Sequence, residues 1–412
     1  MDKKRIVVTG LGVISSCGRD KAAFYNSLFG GISGIKELSL FDLAGLKSKK
    51  AAQAADFIAE EYLGDKGIRN LDRSTRLISS ATKLALDDSG VTITGENCHT
   101  IGVVVGSTLG SLKSVSDFDR DAINEGPRYV NPGLFPNTVI NSPASQVSIR
   151  YNIRGFNTTI STGFCAGLDA LGYAYNFLKF GRARFVLAAG VEELCPQIFS
   201  AFYRAGLLAG RDGEEIMCPF DQRRNGLILG EGAAVLLLEE LDSALERKAA
   251  VYCELSGYAS AFEPSPRGGF PQEGLTRAMR LALKESRLSP EEIDYICAGA
   301  NSTNSGDLGE AEAIKNVFSG NGQEAAVSAA KSCFGECFSA SGTLQALAAV
   351  GAIERQAVPP TINLRQADAD CRLNHVVGKP MPRRVDNVLI NSFGPNGTSS
   401  SVVFSKFKGA SG

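Results

Sequence analysis

The chain has 412 residues, of which 44% are hydrophobic and 21% are charged. It is long enough to bury a large core in about two or three domain-sized units. Forty-three basic residues against 44 acidic ones give a formal net charge of −1 at pH 7. This balance excludes a strong overall attraction to nucleic acid, so a charged partner must bind a local patch.

Cysteine and histidine usage argues against a metal site and against disulfides. The ten cysteines have irregular spacing without a C-x-x-C pair, and the only histidines are His99 and His375. The spacing of a zinc site is therefore absent. No apolar run approaches the ~20 residues of a membrane span, and the N-terminus moves straight into a strand pattern. We expect free thiols in a reducing cytoplasm, with no membrane span, no metal and no cofactor.

Short β-branched runs that end in glycine or serine recur along the chain, and each is followed by a helical pattern. Runs of this kind are typical of strands that are buried on both faces of a sheet. They therefore predict an α/β fold. In chain order the runs are RIVVTGLG, TIGVVVGST, RFVLAAGVEEL, AAVLLLEEL, VYCELSGYAS, IDYICAGANST, AAVSAAKS, NVLINSFG and SSVVFSKF.

The second half of the chain repeats the first at low similarity. NCHTIGVVVGST corresponds to EEIDYICAGANST, and TTISTGFCAGLDAL corresponds to AAVSAAKSCFGECFSASGTLQAL. In both members of the latter pair, a strand pattern leads into a turn that contains serine or threonine. One residue with a chemically reactive side chain follows, and then a helix of small residues begins. The repeat predicts two pseudo-equivalent halves, about 1–250 and about 251–412, with one site between them.

In the first half, the residue at this place is Cys165. It precedes AGLDALGYAYNFLKF, in which Leu168, Leu171, Ala174 and Leu178 recur at helical spacing. A cysteine at a helix N-terminus feels the positive end of the helix macrodipole, which favours the thiolate. We therefore expect Cys165 to be a nucleophile, and the alternative is a small buried apolar cysteine.

Six motifs occur in order along the chain: VVTGLGV, GPRYVNPGLFPNTVIN, TISTGFCAG, FDQRRNGLILGEGAAVLLLEE, AKSCFGECFSASG and NSFGPNGTSSSVVF. Together they resemble the motifs of a β-ketoacyl-acyl carrier protein synthase of the KAS I/II type, over nearly the full chain. The resemblance implies a thiolase-like fold with a layered αβαβα architecture.

The chemistry that the resemblance implies needs a thiolate that takes the acyl chain and two histidines. The histidines stabilise the carbanion and oxyanion that form when a malonyl thioester loses carbon dioxide. Cys165 matches the nucleophile, and Lys331 and Glu310 match the supporting lysine and glutamate. At the two histidine positions the resemblance places Asn301, in GANSTNSGD, and Glu336, in AKSCFGE.

Charge decides what these two residues imply. An ionised Glu336 would repel a malonyl carboxylate and its enolate by an energy on the order of several kcal/mol in a partly buried site. A protonated Glu336 could instead donate a hydrogen bond. Asn301 can donate one neutral hydrogen bond but cannot accept and return a proton. His99 precedes a strand and His375 is in a polar loop, so we expect surface or loop histidines that do not replace the missing pair.

The C-terminal loop argues independently against turnover. In the family it reads Asn-Ser-Phe-Gly-Phe-Gly-Gly-Thr-Asn, and the N–H of its second phenylalanine completes an oxyanion hole and the ring gates the pocket. Here the loop contains Phe393, Gly394 and then Pro395. Proline has no N–H. Losing one oxyanion donor typically costs roughly 100–1,000-fold in rate.

Our first hypothesis is a chain-length-factor-like subunit that does not elongate chains itself. The resemblance implies that such a subunit pairs with an active ketosynthase homologue as a heterodimer and shapes the tunnel for a polyketide, polyene or specialised fatty acid. The second hypothesis is an acyltransferase or thioesterase-like enzyme that uses Cys165 on acyl-carrier-protein thioesters. The third is a homodimeric ketosynthase of unusual chemistry.

Two surfaces follow from the same resemblance. Leu109, Leu112, Leu134 and Phe135 match side chains that line the dimer interface and reach toward the partner's acyl pocket. A basic patch that the family presents to acyl carrier protein corresponds to a second set of residues. These are Lys66, Arg69, Arg73 and Arg76. The alternatives are ordinary interface core for the first set and a solvated helix face for the second.

Overall fold

The computed structural model describes residues 4–264, 270–318 and 325–409. The α-helices in these ranges are α1 (Lys21–Phe29), α2 (Glu60–Leu63), α3 (Arg73–Ser89), α4 (Leu112–Glu125), α5 (Ser142–Tyr151), α6 (Ala166–Lys179), α7 (Pro196–Arg204), α8 (Leu241–Glu246), α9 (Gln272–Ser286), α10 (Asn304–Phe318), α11 (Lys331–Phe334) and α12 (Ser339–Arg355). The strands are β1 (Ile6–Ser15), β2 (Lys36–Glu37), β3 (Lys50–Ala51), β4 (Ile101–Gly106), β5 (Asn157–Ile160), β6 (Phe185–Glu192), β7 (Gly232–Glu240), β8 (Cys253–Phe262), β9 (Tyr295–Cys297), β10 (Ala326–Ser328), β11 (Ala357–Val358), β12 (Met381–Pro382), β13 (Asn387–Phe393) and β14 (Thr398–Ser405).

The main sheet has the order β10-β9-β13-β14-β8-β1-β7-β6-β4-β5. Its two ends are built alike. In the first half β4 pairs in parallel with β5 and β6, and β6, β7 and β1 follow in antiparallel order. In the second half β9 pairs in parallel with β10 and β13, and β13, β14 and β8 follow in antiparallel order. The two halves meet where β1 pairs with β8.

These strands agree with the sequence analysis. Each of the nine predicted runs contains a strand of the main sheet, and the predicted pseudo-equivalence of the two halves appears as the matching strand orders. The outer limits that we predicted for the halves, residues 1 and 412, lie outside the described residues.

Helices cover both faces of each half-sheet, which explains the continuous apolar runs. On β6, Val186 and Ala188 belong to the core that contains α6 and α12, whereas Leu187 and Ala189 belong to the core that contains α3. The central helix α12 contacts β6 and β7 of the first half and β9 and β13 of the second. Since α3 and α9 lie on the outer faces, the layers follow the predicted αβαβα order.

In the described part of the chain, no helix combines the length and apolar character that crossing a membrane requires. The same residues contain no group of three or more His, Cys, Asp and Glu side chains arranged to hold a metal ion.

Candidate active site

The starts of α6 and α12 touch at the centre of the protein. A β-carbon on Gly167 would lie 2.1 Å from the carbonyl oxygen of Ser339, and one on Gly342 would lie 2.8 Å from the backbone nitrogen of Leu168. Only glycine permits so close an approach of two backbones. The contact brings together the turn before α6, which carries Cys165, and the turn before α12. The candidate site therefore lies between the two halves.

Cys165 is fully buried at the start of α6. Its Sγ donates a hydrogen bond to the carbonyl oxygen of Ser392, with 3.3 Å between the atoms. Burial raises the pKa of the thiol to about 12, and the negative charge of Asp169, one turn along α6, acts in the same direction. Our expectation that the macrodipole would favour a thiolate is therefore wrong for this state, because desolvation of the charged form outweighs the dipole.

Glu336 is also fully buried, and both of its oxygens are saturated with donors. Its Oε2 accepts hydrogen bonds from Lys331 Nζ at 2.8 Å and from Asn301 Nδ2 at 2.9 Å. Its Oε1 accepts from the Phe338 N–H at 3.0 Å and from Ser341 Oγ at 2.8 Å. One donor is an ammonium group, so the set matches an ionised carboxylate and leaves Glu336 no proton to donate.

Asn301 uses its whole amide inside the site. Besides its bond to Glu336, its Oδ1 accepts from Thr303 Oγ1 at 2.8 Å, and its backbone N–H donates to Asp307 Oδ1 at 3.0 Å. Asp307 is fully buried, and burial raises its pKa to about 6. The Asn301 amide is therefore held in place by neighbours on both of its ends.

Lys331 and Glu310 are linked through the backbone of Gly299. Lys331 Nζ donates to the Gly299 carbonyl oxygen at 2.9 Å, and Glu310 Oε1 accepts from the Gly299 N–H at 2.9 Å. Asn391 Nδ2 also donates to Glu310 Oε1, at 3.1 Å. Burial raises the pKa of Glu310 to about 7. The peptide groups of Gly299 thus connect this carboxyl group to the ammonium that binds Glu336.

The C-terminal loop offers few donors. The Gly394 N–H donates to the Thr398 carbonyl oxygen at 3.0 Å, and the next residue, Pro395, is exposed and has no N–H. The ring of Phe393 lies 4.3 Å from that of Phe270 in an edge-to-face arrangement. Neither Gly394 nor Pro395 therefore has an N–H free for an oxyanion.

A cavity of about 180 Å³ opens in front of these residues. Its lining is mostly apolar, with polar groups from one side only: Phe164, Phe202, Leu207, Leu227, Phe270, Asn301, Thr303, Ser305, Gly306, Phe393, Gly394 and Pro395. Cys165 lies beneath this lining and is shielded from the cavity. The described lining contains no charged side chain, and the paired Lys331 and Glu336 are fully buried.

The four predicted interface residues separate into an inner and an outer pair. Leu109 and Leu112 pack against the buried apolar cluster that contains Phe164. Leu134 and Phe135 are exposed by 37% and 56%, and the Phe135 ring contacts Phe118. The outer pair is therefore available to a partner, whereas the inner pair supports the wall of the site.

The predicted basic patch is only half exposed. Lys66 and Arg69 lie on the surface, but Arg73 forms a salt bridge of 2.6 Å to the fully buried Glu231. Arg76 donates to the carbonyl oxygens of Leu71 and Ile68. Our prediction of a four-residue patch needs correction, because two of its guanidinium groups hold the fold together. Glu231 is far away in sequence, so no local pattern indicated this pair.

Neither histidine contributes to the site. His99 is exposed, as expected. His375 lies in a loop and is partly buried: its ring lies 4.9 Å from that of Phe220, and its Nε2 is 2.8 Å from the Cys371 carbonyl oxygen. Burial lowers the pKa of His375. The polar sequence around His375 concealed this packing, which depends on residues distant in the chain.

Sequence reasoning missed three residues that shape the site. Asp169 accepts hydrogen bonds from Tyr258, Ser400 and Thr162 beneath Cys165. The sequence could have indicated Asp169, because it follows Cys165 by four residues and residues four apart on a helix share a face. No sequence pattern indicated that the Phe338 N–H would bind Glu336 or that the Ser392 carbonyl oxygen would accept from Cys165.

Comparison with known proteins identifies the family of the chain. Two family descriptions match the chain: "Beta-ketoacyl synthase, N-terminal domain" over residues 3–244 and "Beta-ketoacyl synthase, C-terminal domain" over residues 252–365. The chain belongs to the beta-ketoacyl synthase family. This beta-ketoacyl synthase family member is 34% identical to the 3-oxoacyl-(acyl-carrier-protein) synthase 2 of Coxiella burnetii, over 98% of the chain and 99% of the relative.

Polyketide proteins are equally similar. The "Putative polyketide beta-ketoacyl synthase 1" of Streptomyces halstedii is 35% identical over 97% of both chains. Among solved structures, "The ishigamide ketosynthase/chain length factor" superimposes with a TM-score of 0.92, at 29% identity over 98% of this chain and 100% of that one. A type II polyketide ketosynthase in complex with its acyl-carrier protein gives 0.90 at 28% identity, with coverage of 98% and 100%. These are thiolase-fold ketosynthases, so the predicted fold is confirmed.

Proposed function

We propose that this protein is a chain-length-factor-like subunit that does not elongate acyl chains itself and that forms a heterodimer with an active ketosynthase. The observation that carries the proposal is the bonding of Glu336. Four donors, including the ammonium of Lys331, hold this carboxylate at a position where the resemblance implies a histidine. A carboxylate held in this way neither donates a proton nor stabilises an enolate.

The remaining groups of the site support the same function. Cys165 is a buried neutral thiol, Asn301 is bonded at both ends, and Pro395 offers no oxyanion donor. A malonyl group would bring its own carboxylate into a cavity whose described lining holds no cation, while Lys331 is already paired with Glu336. Taking a charge out of water without a partner is strongly unfavourable. We therefore expect decarboxylation to occur in the partner.

The surface supports a partner of the same family. β5 is the last strand of the main sheet, and an open edge promotes strand pairing. Large apolar side chains from one segment are exposed in the single chain, which is typical of a protein interface. They are Ile123, Tyr129, Leu134, Phe135, Val139 and Ile140. On this proposal Leu134 and Phe135 close the far end of the partner's tunnel and so set product length, in a pathway for polyketides, polyenes or specialised fatty acids.

Carrier docking then belongs to the partner as well. The chain offers Lys66 and Arg69 as exposed cations, whereas Arg73 and Arg76 are used internally. A pair of solvated charges is a weak site for an acidic protein on its own. We propose that acyl carrier protein binds mainly to the active ketosynthase.

The experiment is a reconstitution with the ketosynthase homologue of the same organism that retains cysteine and two histidines. The pair is purified, supplied with malonyl-carrier protein and analysed for product length. We expect Cys165→Ala to leave the yield within about 2-fold, because a thiol outside the reaction contributes only packing. We expect Phe135→Ala to lengthen the product. Phe180→Ala is the matched control, since this ring is 73% exposed at the far end of α6.

Either of two results would change the assignment. If Cys165→Ala abolishes product while the complex stays intact, this chain is an acyltransferase that acts through its cysteine. If the chain condenses malonyl units without any partner, it is a ketosynthase in its own right, like the 3-oxoacyl synthases that it resembles.

A further inference from the structure

The turn before α12 holds one phenylalanine in an unusual backbone conformation. Phe338 has φ +48° and ψ −119°, and a positive φ is strained for a residue with a side chain. Two hydrogen bonds fix the turn: the Phe338 N–H donates to Glu336 Oε1 at 3.0 Å, and the Phe338 carbonyl oxygen accepts from the Ser341 N–H at 3.0 Å. Strain of this kind persists only where the surroundings determine the conformation.

The strained backbone directs the Phe338 ring into an aromatic group. Its centroid lies 5.1 Å from that of Phe164 and 5.2 Å from that of Phe202, and both contacts are edge-to-face. Phe164 and Phe202 are 6.4 Å apart. Phe338 is fully buried, whereas its two partners also line the cavity. Phe164 and Phe202 therefore form part of the cavity wall, and Phe338 packs behind them.

Space beside Cys165 is what an acylated thiol needs. When Cys165 takes an acyl group from a thioester, a new C–S bond forms, the donor C–S bond breaks, and the donor thiol leaves with the cysteine proton. The alkyl chain must then extend into an apolar space. The Phe338 ring packs against Phe164, the residue immediately before Cys165, and so fills apolar space next to the start of α6.

We propose that Phe338 occupies the room an acyl chain on Cys165 would need, and that Glu336 is the positioning residue that holds it there. The inference rests on the proposed function, since it explains why a family member that keeps the cysteine does not carry a chain. It assigns Glu336 a second task beyond pairing with Lys331, namely a clamp on the Phe338 backbone. The side chain at 338 thus decides whether this site accepts an apolar chain.

The test measures access to Cys165 in the purified full-length protein, without partner or carrier. The probe is N-hexyliodoacetamide, which alkylates a thiol with loss of iodide and carries a six-carbon tail. Mass spectrometry of the peptide that contains Cys165 gives its labelling rate. Phe338→Ala removes the ring. Phe199→Ala is the matched control, because Phe199 is equally buried in the same cluster but contacts Phe41 instead of the three rings.

We expect Phe338→Ala to label Cys165 at least ~10-fold faster than the wild type, since exposure both opens a path and lowers the cost of the thiolate. Phe199→Ala should label at the wild-type rate. Phe338→Leu, which keeps much of the apolar volume, should fall between them and decides the matter if the alanine variant does not fold.

A second experiment separates the hydrogen bond between Glu336 and the Phe338 N–H from the ion pair between Glu336 and Lys331. Lys331→Met with Glu336→Gln removes the ion pair but keeps a carbonyl oxygen that accepts from the Phe338 N–H. Lys331→Met with Glu336→Leu removes the acceptor as well. We expect the first pair to label Cys165 like the wild type and the second pair to label it faster. Equal rates in both pairs would overturn the positioning role of Glu336.

Two results would overturn the proposal as a whole. One is rapid labelling of Cys165 in the wild-type protein. The other is labelling of folded Phe338→Ala at the rate of Phe199→Ala. Both results leave the proposed function untouched, because that function is judged by product length and carbon dioxide release. Conversely, product loss in Cys165→Ala with a slow wild-type labelling rate would sink the proposed function and leave the closed wall in place.

Discussion

The two turns that meet at the centre of the protein occupy equivalent places in the two halves but differ in chemistry. The turn before α6 presents Cys165, a neutral thiol that donates a hydrogen bond to the Ser392 carbonyl oxygen. The turn before α12 presents Glu336, a carboxylate with four donors. The backbone contacts at Gly167 and Gly342 hold both turns in register. The two helix starts therefore position Cys165 and Glu336 in the same way, whereas the groups around each side chain determine its charge and its chemistry.

Removing the carboxylate is the strongest way to break this comparison. Glu336→Ala leaves the Lys331 ammonium buried without its partner, and both side chains are fully buried at a distance of 2.8 Å. We expect the free energy of unfolding to fall by about 3–5 kcal/mol in urea denaturation. Asp117→Ala, which breaks a surface pair with Lys113 one helical turn away, should cost less than about 0.5 kcal/mol. A Glu336→Ala protein as stable as Asp117→Ala would contradict the account.

Placing histidines at residues 301 and 336 tests the chemical side of the comparison. We expect Asn301→His with Glu336→His to remain inactive in condensation, because Pro395 still offers no N–H to an oxyanion. Adding Pro395→Phe should raise the rate by roughly 100–1,000-fold over the double variant. The assay is condensation of malonyl-carrier protein with an acyl primer. Turnover in the double variant alone would show that the loop matters less than we infer.

Another buried carboxylate, Glu193, accepts hydrogen bonds from a hydroxyl and from backbone N–H groups rather than from an ammonium group. Glu193 accepts hydrogen bonds from Ser111, Ser74 and Lys113, and its pKa is raised to about 7 by burial and by the charge of Asp72. The Glu193 carboxyl group therefore binds its proton more tightly in the folded protein than in the unfolded chain. Its contribution to the free energy of unfolding declines as the pH rises from about 4.5 to about 7.

Glu193→Gln removes this pH dependence. We expect the variant to be more stable than the wild type at pH 8, by on the order of 2–3 kcal/mol, and to match it near pH 4.5. Urea denaturation across this pH range measures the difference, with the exposed Glu61→Gln as control. A stability gain that is the same at both pH values would contradict a titration of Glu193.

The sequence was sufficient for the features that depend on local pattern. Continuous apolar runs predicted the strands of the main sheet, and the repeat predicted matching halves with Cys165 and Glu336 at the site between them. Features that depend on distant residues were beyond it. The thiol of Cys165 is neutral because it is buried. Arg73 is lost from the surface patch because it pairs with Glu231, which is 158 residues away in the sequence. Burial and long-range pairs are set by packing, which no short motif records.

The most direct measurement is carbon dioxide release from malonyl-carrier protein by the purified chain alone. The account predicts release at the background rate, because Glu336 is an ionised carboxylate bound to Lys331 and Cys165 is a buried neutral thiol. It also predicts that Cys165→Ala leaves this rate unchanged. Release at the rate of an ordinary ketosynthase, and its loss in Cys165→Ala, would contradict the claim that this subunit does not elongate chains.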